Sequence, residues 1–133
     1  GEYCGFFLNR RHNGVSVFEY TITGNVDDAV GLSKNIQELF PDERLSLTVS
    51  MAIEDMVVHI ISINDEMVDL IDVIIKDNED YTLISIKYSG ICINITQDED
   101  IGSNIAILRN ISEKIDYSQI LGLNNITITM EMI

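Results

Sequence analysis

From residue 4 to residue 22 the chain reads as extended backbone folded on itself. Ser16, Phe18, Tyr20 and Ile22 fall on one face, and Val15, Val17, Glu19 and Thr21 on the other, the period of two that marks a strand. Asn13-Gly14 interrupts the stretch. Both residues tolerate the positive φ of a two-residue turn, so a β-hairpin is predicted. The period then lengthens. Asn25 can cap a helix, with Asp28 near its positive start. Apolar or small side chains recur at Val26, Ala29 or Val30, Ser33, Ile36 and Leu39 or Phe40, and Pro41 stops the helix. Asp42 can cap the next, which is the longest periodic segment. Leu45, Val49, Ile53, Met56, Ile60 and Ile63 form an apolar stripe that carries it to about Asn64.

Strand-like runs follow at residues 70–76, 81–88 and 91–96, and the polar link DNED at 77–80 suits a hairpin between the first two. The acidic QDED stretch reads as a loop. Residues 102–115 predict a helix with Ser103 or Asn104 as its cap and Ile105, Leu108, Ile111 and Ile115 facing inward. DYSQIL and the alternating NNITITMEM close the chain as strands. The order β-β-α-α-β-β-(β)-α-β-β does not alternate strand with helix, which argues against a doubly wound parallel sheet. It predicts an α+β fold: a two-layer sandwich with a mixed, mostly antiparallel sheet and about three helices on one face. At 133 residues the chain makes one domain, residues 1–133, with a real core.

Charge narrows the choice of partners. The formal net charge is −14, which repels nucleic-acid backbones and anionic lipid surfaces. The one basic cluster, RRH at 10–12, reads as a solvated hairpin tip. A hydrophobic content of 46% with a single Pro is that of a folded chain. No apolar run approaches the roughly 18 residues of a membrane span, and the start lacks a signal-peptide layout. The chain opens on Gly1 rather than Met, which suggests a segment of something longer. Cys4 and Cys92 sit among apolar residues and read as buried free thiols, which suits a reducing cytoplasm. Two Cys and two scattered His are too few for a built metal site.

Three short stretches could carry chemistry. Asp55 and His59 lie four residues apart on the long predicted helix, on one face with Thr48, Ala52 and Ser62. Tyr88-Ser89-Gly90-Ile91-Cys92 ends a strand, and Gly102-Ser103-Asn104 opens a helix. In this order, with the long second helix, they resemble the GHKL-type ATPase fold of histidine-kinase catalytic domains and gyrase. The likeness is greatest to the anti-sigma-factor serine kinase branch and covers nearly the whole chain.

The resemblance implies ATP with Mg²⁺ as ligand and assigns roles by position. Asp55 falls where the family has a Glu that acts as base or orients water, and His59 falls where an Asn binds the metal. Tyr88 stands in place of the Asp that accepts the adenine amino group. Gly90 is the first glycine of that motif, and Cys92 replaces the second. Gly102, Ser103 and Asn104 match a phosphate-binding helix start that lacks one glycine. Each departure weakens one part of nucleotide recognition: Asp is shorter than Glu, Mg²⁺ prefers oxygen to imidazole, and a phenol is bulkier than a carboxylate. Simple alternatives stand beside these roles, namely a surface i,i+4 pair, a Ser-Gly hairpin between 81–88 and 91–96, and ordinary N-capping.

The expected function is therefore a degenerate histidine kinase-like ATPase domain kept as a regulatory, protein-binding module. The alternatives are an active ATP-dependent serine/threonine kinase of the anti-sigma type and an unrelated α+β interaction domain. The resemblance implies a sigma-factor or antagonist-like partner, or the rest of a parent chain acting in cis, and a tendency to form homodimers. An acidic surface favours a partner with a basic patch. Nucleic acid and membrane contact are not expected of this segment.

Overall fold

The structure is a computed structural model that describes residues 5–12, 15–40, 42–64, 70–78, 80–91, 94–95 and 103–131. Their order is β1 (Gly5–His12), β2 (Val15–Thr23), α1 (Val26–Gln37), α2 (Glu43–Ile63), β3 (Leu70–Asp77), β4 (Tyr81–Ser89), α3 (Ser103–Ile111), β5 (Lys114–Ile120) and β6 (Leu123–Glu131). The strands form one sheet in the order β1-β2-β3-β4-β6-β5. Every neighbouring pair is antiparallel, so the expected α+β sandwich is present and its described sheet contains no parallel pair. Hairpins join β1 to β2, β3 to β4 and β5 to β6. After α3 the chain lays β5 at the far edge, and β6 returns to fill the place beside β4.

Alternation along the strands decides which face is covered. Tyr20 and Ile22, then Ile71, Val73 and Ile75, then Ile84, Ile86 and Tyr88, then Ile126, Ile128 and Met130 are all buried. They meet Ala29, Leu32 and Ile36 of α1, Val49, Ile53, Met56 and Ile60 of α2, and Ile105 and Leu108 of α3. The opposite face is partly shielded and mixed, with Glu19, Thr21, Asp72, Ser85 and Lys87 beside Val17, Ile74 and Leu83. There Thr21 Oγ1 donates to Asp72 Oδ1 across the β2–β3 pair at 2.7 Å. One fully buried face and one half-exposed face along β2, β3, β4 and β6 is the usual mark of an antiparallel sheet covered on one side.

The helix starts follow from their caps. The Asn25 side chain accepts from the Asp27 N–H at 2.8 Å. Asp28 in the first turn is buried and accepts from both the N–H and the hydroxyl of Thr23, which ties the start of α1 to the end of β2. Asp42 Oδ1 accepts from the N–H groups of Arg44 (2.9 Å) and Leu45 (3.1 Å) at the start of α2. The Ser46 hydroxyl donates to the Gln37 carbonyl and fixes the turn between the helices. These side chains satisfy donors and acceptors that a helix end leaves open.

Several expectations are corrected. Residues 91, 94 and 95 lie outside any strand, although Ile95 is buried. The β4 edge that a 91–96 strand would occupy is taken by β6. Helix α3 ends at Ile111, where the Ser112 N–H and hydroxyl both bond back to the Leu108 carbonyl, at 2.9 and 2.6 Å. Ile111 is therefore exposed, and Ile115 sits on β5 opposite Ile128. Val26 and Val30 point outward from α1. The Asn13-Gly14 turn lies outside the described residues, though the pair His12 and Val15 flanks it in register.

Helix α2 also revises the expectation about membrane-length segments. Its 21 residues include an 18-residue window of mean hydropathy 1.5, enough by length and composition to cross a membrane. Half of that window is buried, the arrangement of a helix lying across the middle of a sheet.

Candidate functional site

The three sequence motifs meet the fold in different ways. Tyr88 is the last inward-facing residue of β4. It is 1% exposed, its hydroxyl is buried, and it is the bulkiest fully buried side chain among the described residues. β4 places it here by plain alternation with Ile84 and Ile86. The strand ends at Ser89, and Gly90 follows with φ of +144°.

Gly90 has a steric reason to be glycine. A Cβ at this position would lie 2.5 Å from Asn64 Oδ1, well inside contact distance, and the backbone sits where L residues are strained. Asn64 is the C-terminal cap of α2. Its Oδ1 accepts from the Ile91 N–H at 2.8 Å, and its Nδ2 donates to the Ile60 carbonyl at 2.8 Å. The long helix is thus clamped to the exit of β4 by one amide side chain. From the other side, buried Asn124 at the start of β6 directs its Nδ2 towards the carbonyls of Tyr88 (3.4 Å) and Gly90 (3.5 Å), while its Oδ1 accepts from the Tyr117 hydroxyl. Tyr88 and Gly90 therefore lie in a framework of two asparagines and a tyrosine that binds α2, β4, β5 and β6 together.

Asp55 and His59 stand one turn apart on α2, and both are half-buried. They lie outside the stripe of Val49, Ile53, Met56, Val57, Ile60 and Ile61 that faces the core. The expected solvated face they share is uneven, because Ala52 on it is fully buried while Ser62 is exposed. Gly90 meets the end of α2 at Asn64, whereas Asp55 and His59 lie about two to three turns and one to two turns earlier on the same helix. Glu54, beside Asp55 but about 100° around the helix, has an altered acidity. Burial, and secondarily the Asp55 carboxylate, push its pKa above the ordinary 4.5.

The third motif is described only in part. Gly102 lies outside the described residues, and Ser103 and Asn104 are placed by backbone alone as the first residues of α3. Cys4 and Cys92 also lie outside them.

Among the described residues no three His, Cys, Asp or Glu side chains gather as metal ligands. Tyr88 offers a phenol packed in the core and His59 an imidazole, where the resemblance would call for a carboxylate and an amide oxygen to hold Mg²⁺-nucleotide. Sequence reasoning missed Asn64 and Asn124. Each reads locally as a helix cap or turn residue, and its role appears only through partners 27 to 36 positions away. Compared with known proteins, the chain matches no family model and no curated protein.

Proposed function

We propose that this domain is a degenerate histidine kinase-like ATPase domain that works as a regulatory, protein-binding module in a reducing cytoplasm. The observation that carries the reading is Tyr88. A bulky side chain is packed into the core at the end of β4, where the long helix meets the strand and where the resembling family keeps a carboxylate for adenine. The order of the elements, with all the helices on one face, supports the same ancestry. The partner is a basic-patched protein of the sigma-factor or antagonist kind, or another part of a parent chain.

Lost readout groups set the expected affinity. A buried polar partner is worth about 1–3 kcal/mol, so losing several weakens binding by a few powers of ten. Equilibrium titration with Mg²⁺-ATP and Mg²⁺-ADP should show no saturation below about 1 mM. Tight saturable binding that disappears in Asp55→Ala would overturn the degenerate reading in favour of an active kinase. Tyr88→Asp removes the ring and returns a carboxylate, and it should gain measurable adenine-nucleotide affinity. A folded Tyr88→Asp protein with no gain would leave only an unrelated α+β interaction domain.

A further inference from the structure

On α1 and α2 four large apolar side chains are open to solvent. Val26 (43% exposed) and Val30 (39%) belong to α1, and Leu47 (51%) and Met51 (38%) to α2. Within each helix the two are four residues apart, so each pair keeps to one flank. Gln37 falls on the same flank of α1 as Val30. Gln37 and Leu47 line a common hollow of about 310 Å³ with Phe40, Glu43 and Ser46. This hollow brings the C-terminal end of the α1 flank beside the N-terminal end of the α2 flank, at the turn between the two helices. Glu54 lies on the Leu47 flank, and the burial that raises its pKa is what an acid in an apolar seam experiences.

We infer that the two apolar flanks continue from this hollow as the walls of one groove, and that the groove docks an amphipathic helix from a partner protein, with lysine or arginine beside its apolar face. Paired anchors four residues apart on both walls suit a helix laid along the seam, and Met51 can adapt to the side chains it meets. Charge selects the occupant. Asp27, Glu38, Asp42 and Glu43 are exposed on the two helices and their connecting turn, against only Lys34 and Arg44 among the exposed bases there. With a chain charge of −14, a second copy or an anionic lipid surface is repelled while a basic helix is drawn in. The inference rests on the protein-binding half of the proposed function and is independent of the nucleotide half.

The test uses the full chain and two synthetic amphipathic helices, one of leucine and lysine and one with glutamate in place of every lysine. The lysine helix should bind in the micromolar range at about 0.15 M salt, and the glutamate helix should not. Leu47→Asp with Met51→Asp should weaken the lysine helix roughly tenfold or more, although the added negative charge alone would strengthen it. Leu47→Ser with Met51→Ser gives the neutral version, and unchanged thermal unfolding shows that both variants fold. Absence of binding by the lysine helix, equal binding of both helices, or equal binding by parent and groove variants overturns the groove. None of these outcomes bears on the Tyr88→Asp nucleotide titration, which tests the ancestry separately.

Discussion

Gly90 and Glu54 show how single positions carry measurable consequences. Gly90→Ala must place a Cβ against Asn64 Oδ1 in a left-handed backbone. It should cost about 1–3 kcal/mol, read as a lower urea midpoint at unchanged slope. Asn64→Ala removes the obstructing amide along with its bond to Ile91, so the two changes together should cost less than their sum. Glu54 sets a pH dependence. Its folded pKa lies above the ordinary 4.5, so the folded state binds the proton more tightly than the unfolded chain. Its contribution to stability is complete below 4.5 and is lost as pH rises through the folded value. Glu54→Gln should therefore be more stable than the parent at neutral pH, with the advantage shrinking as pH falls towards 4.5, as thermal melts across that range would show. Gly90 was legible as a special glycine because it follows Ser89 at a strand end. The reason for it was not, since Asn64 lies 27 positions from the bond it makes there.

The helices and hairpins were the most legible level. The stripe through Val49, Ile53, Met56 and Ile60 marks α2 correctly, and the NNITITMEM alternation marks β6, because each segment repeats its period several times. The 91–96 run failed for the converse reason. It is short and apolar, and nothing local reveals that β6 returns from the end of the chain to pair with β4. Caps and turns allow quantitative tests. Asp28→Ala removes the acceptor for both Thr23 groups and should cost about 1–2 kcal/mol, seen by chemical denaturation. The β5–β6 turn carries Leu121 at φ 53° and Gly122 at φ 81°, the two positive values of a tight hairpin turn. Leu121 is 99% exposed and gains nothing from burial to offset its backbone. Leu121→Asn should raise stability by about 1 kcal/mol, read as a higher melting temperature.

Across the molecule, charge and topology set behaviour that no single contact explains. A formal −14 on 133 residues repels itself most when folded, so raising ionic strength from about 0.01 to 0.15 M should stabilise the protein by screening. A melting temperature that falls over that range would refute this. The architecture was legible in the order of elements, and the candidate site only as positions along it. Asp55, His59 and Tyr88 were candidates only through a resemblance of motif order. Order could not reveal that Tyr88 packs into the core while Asp55 and His59 stay half-buried outside the core stripe of α2, because burial depends on how sheet and helix meet. The Asn64 clamp has one more effect. The Ile91 amide points into that carbonyl although the residue itself is 45% exposed, so its proton can swap with solvent deuterium only when the last turn of the long helix lets go. Its protection factor becomes a gauge of fraying at a helix end from which it is separated by two strands of sequence.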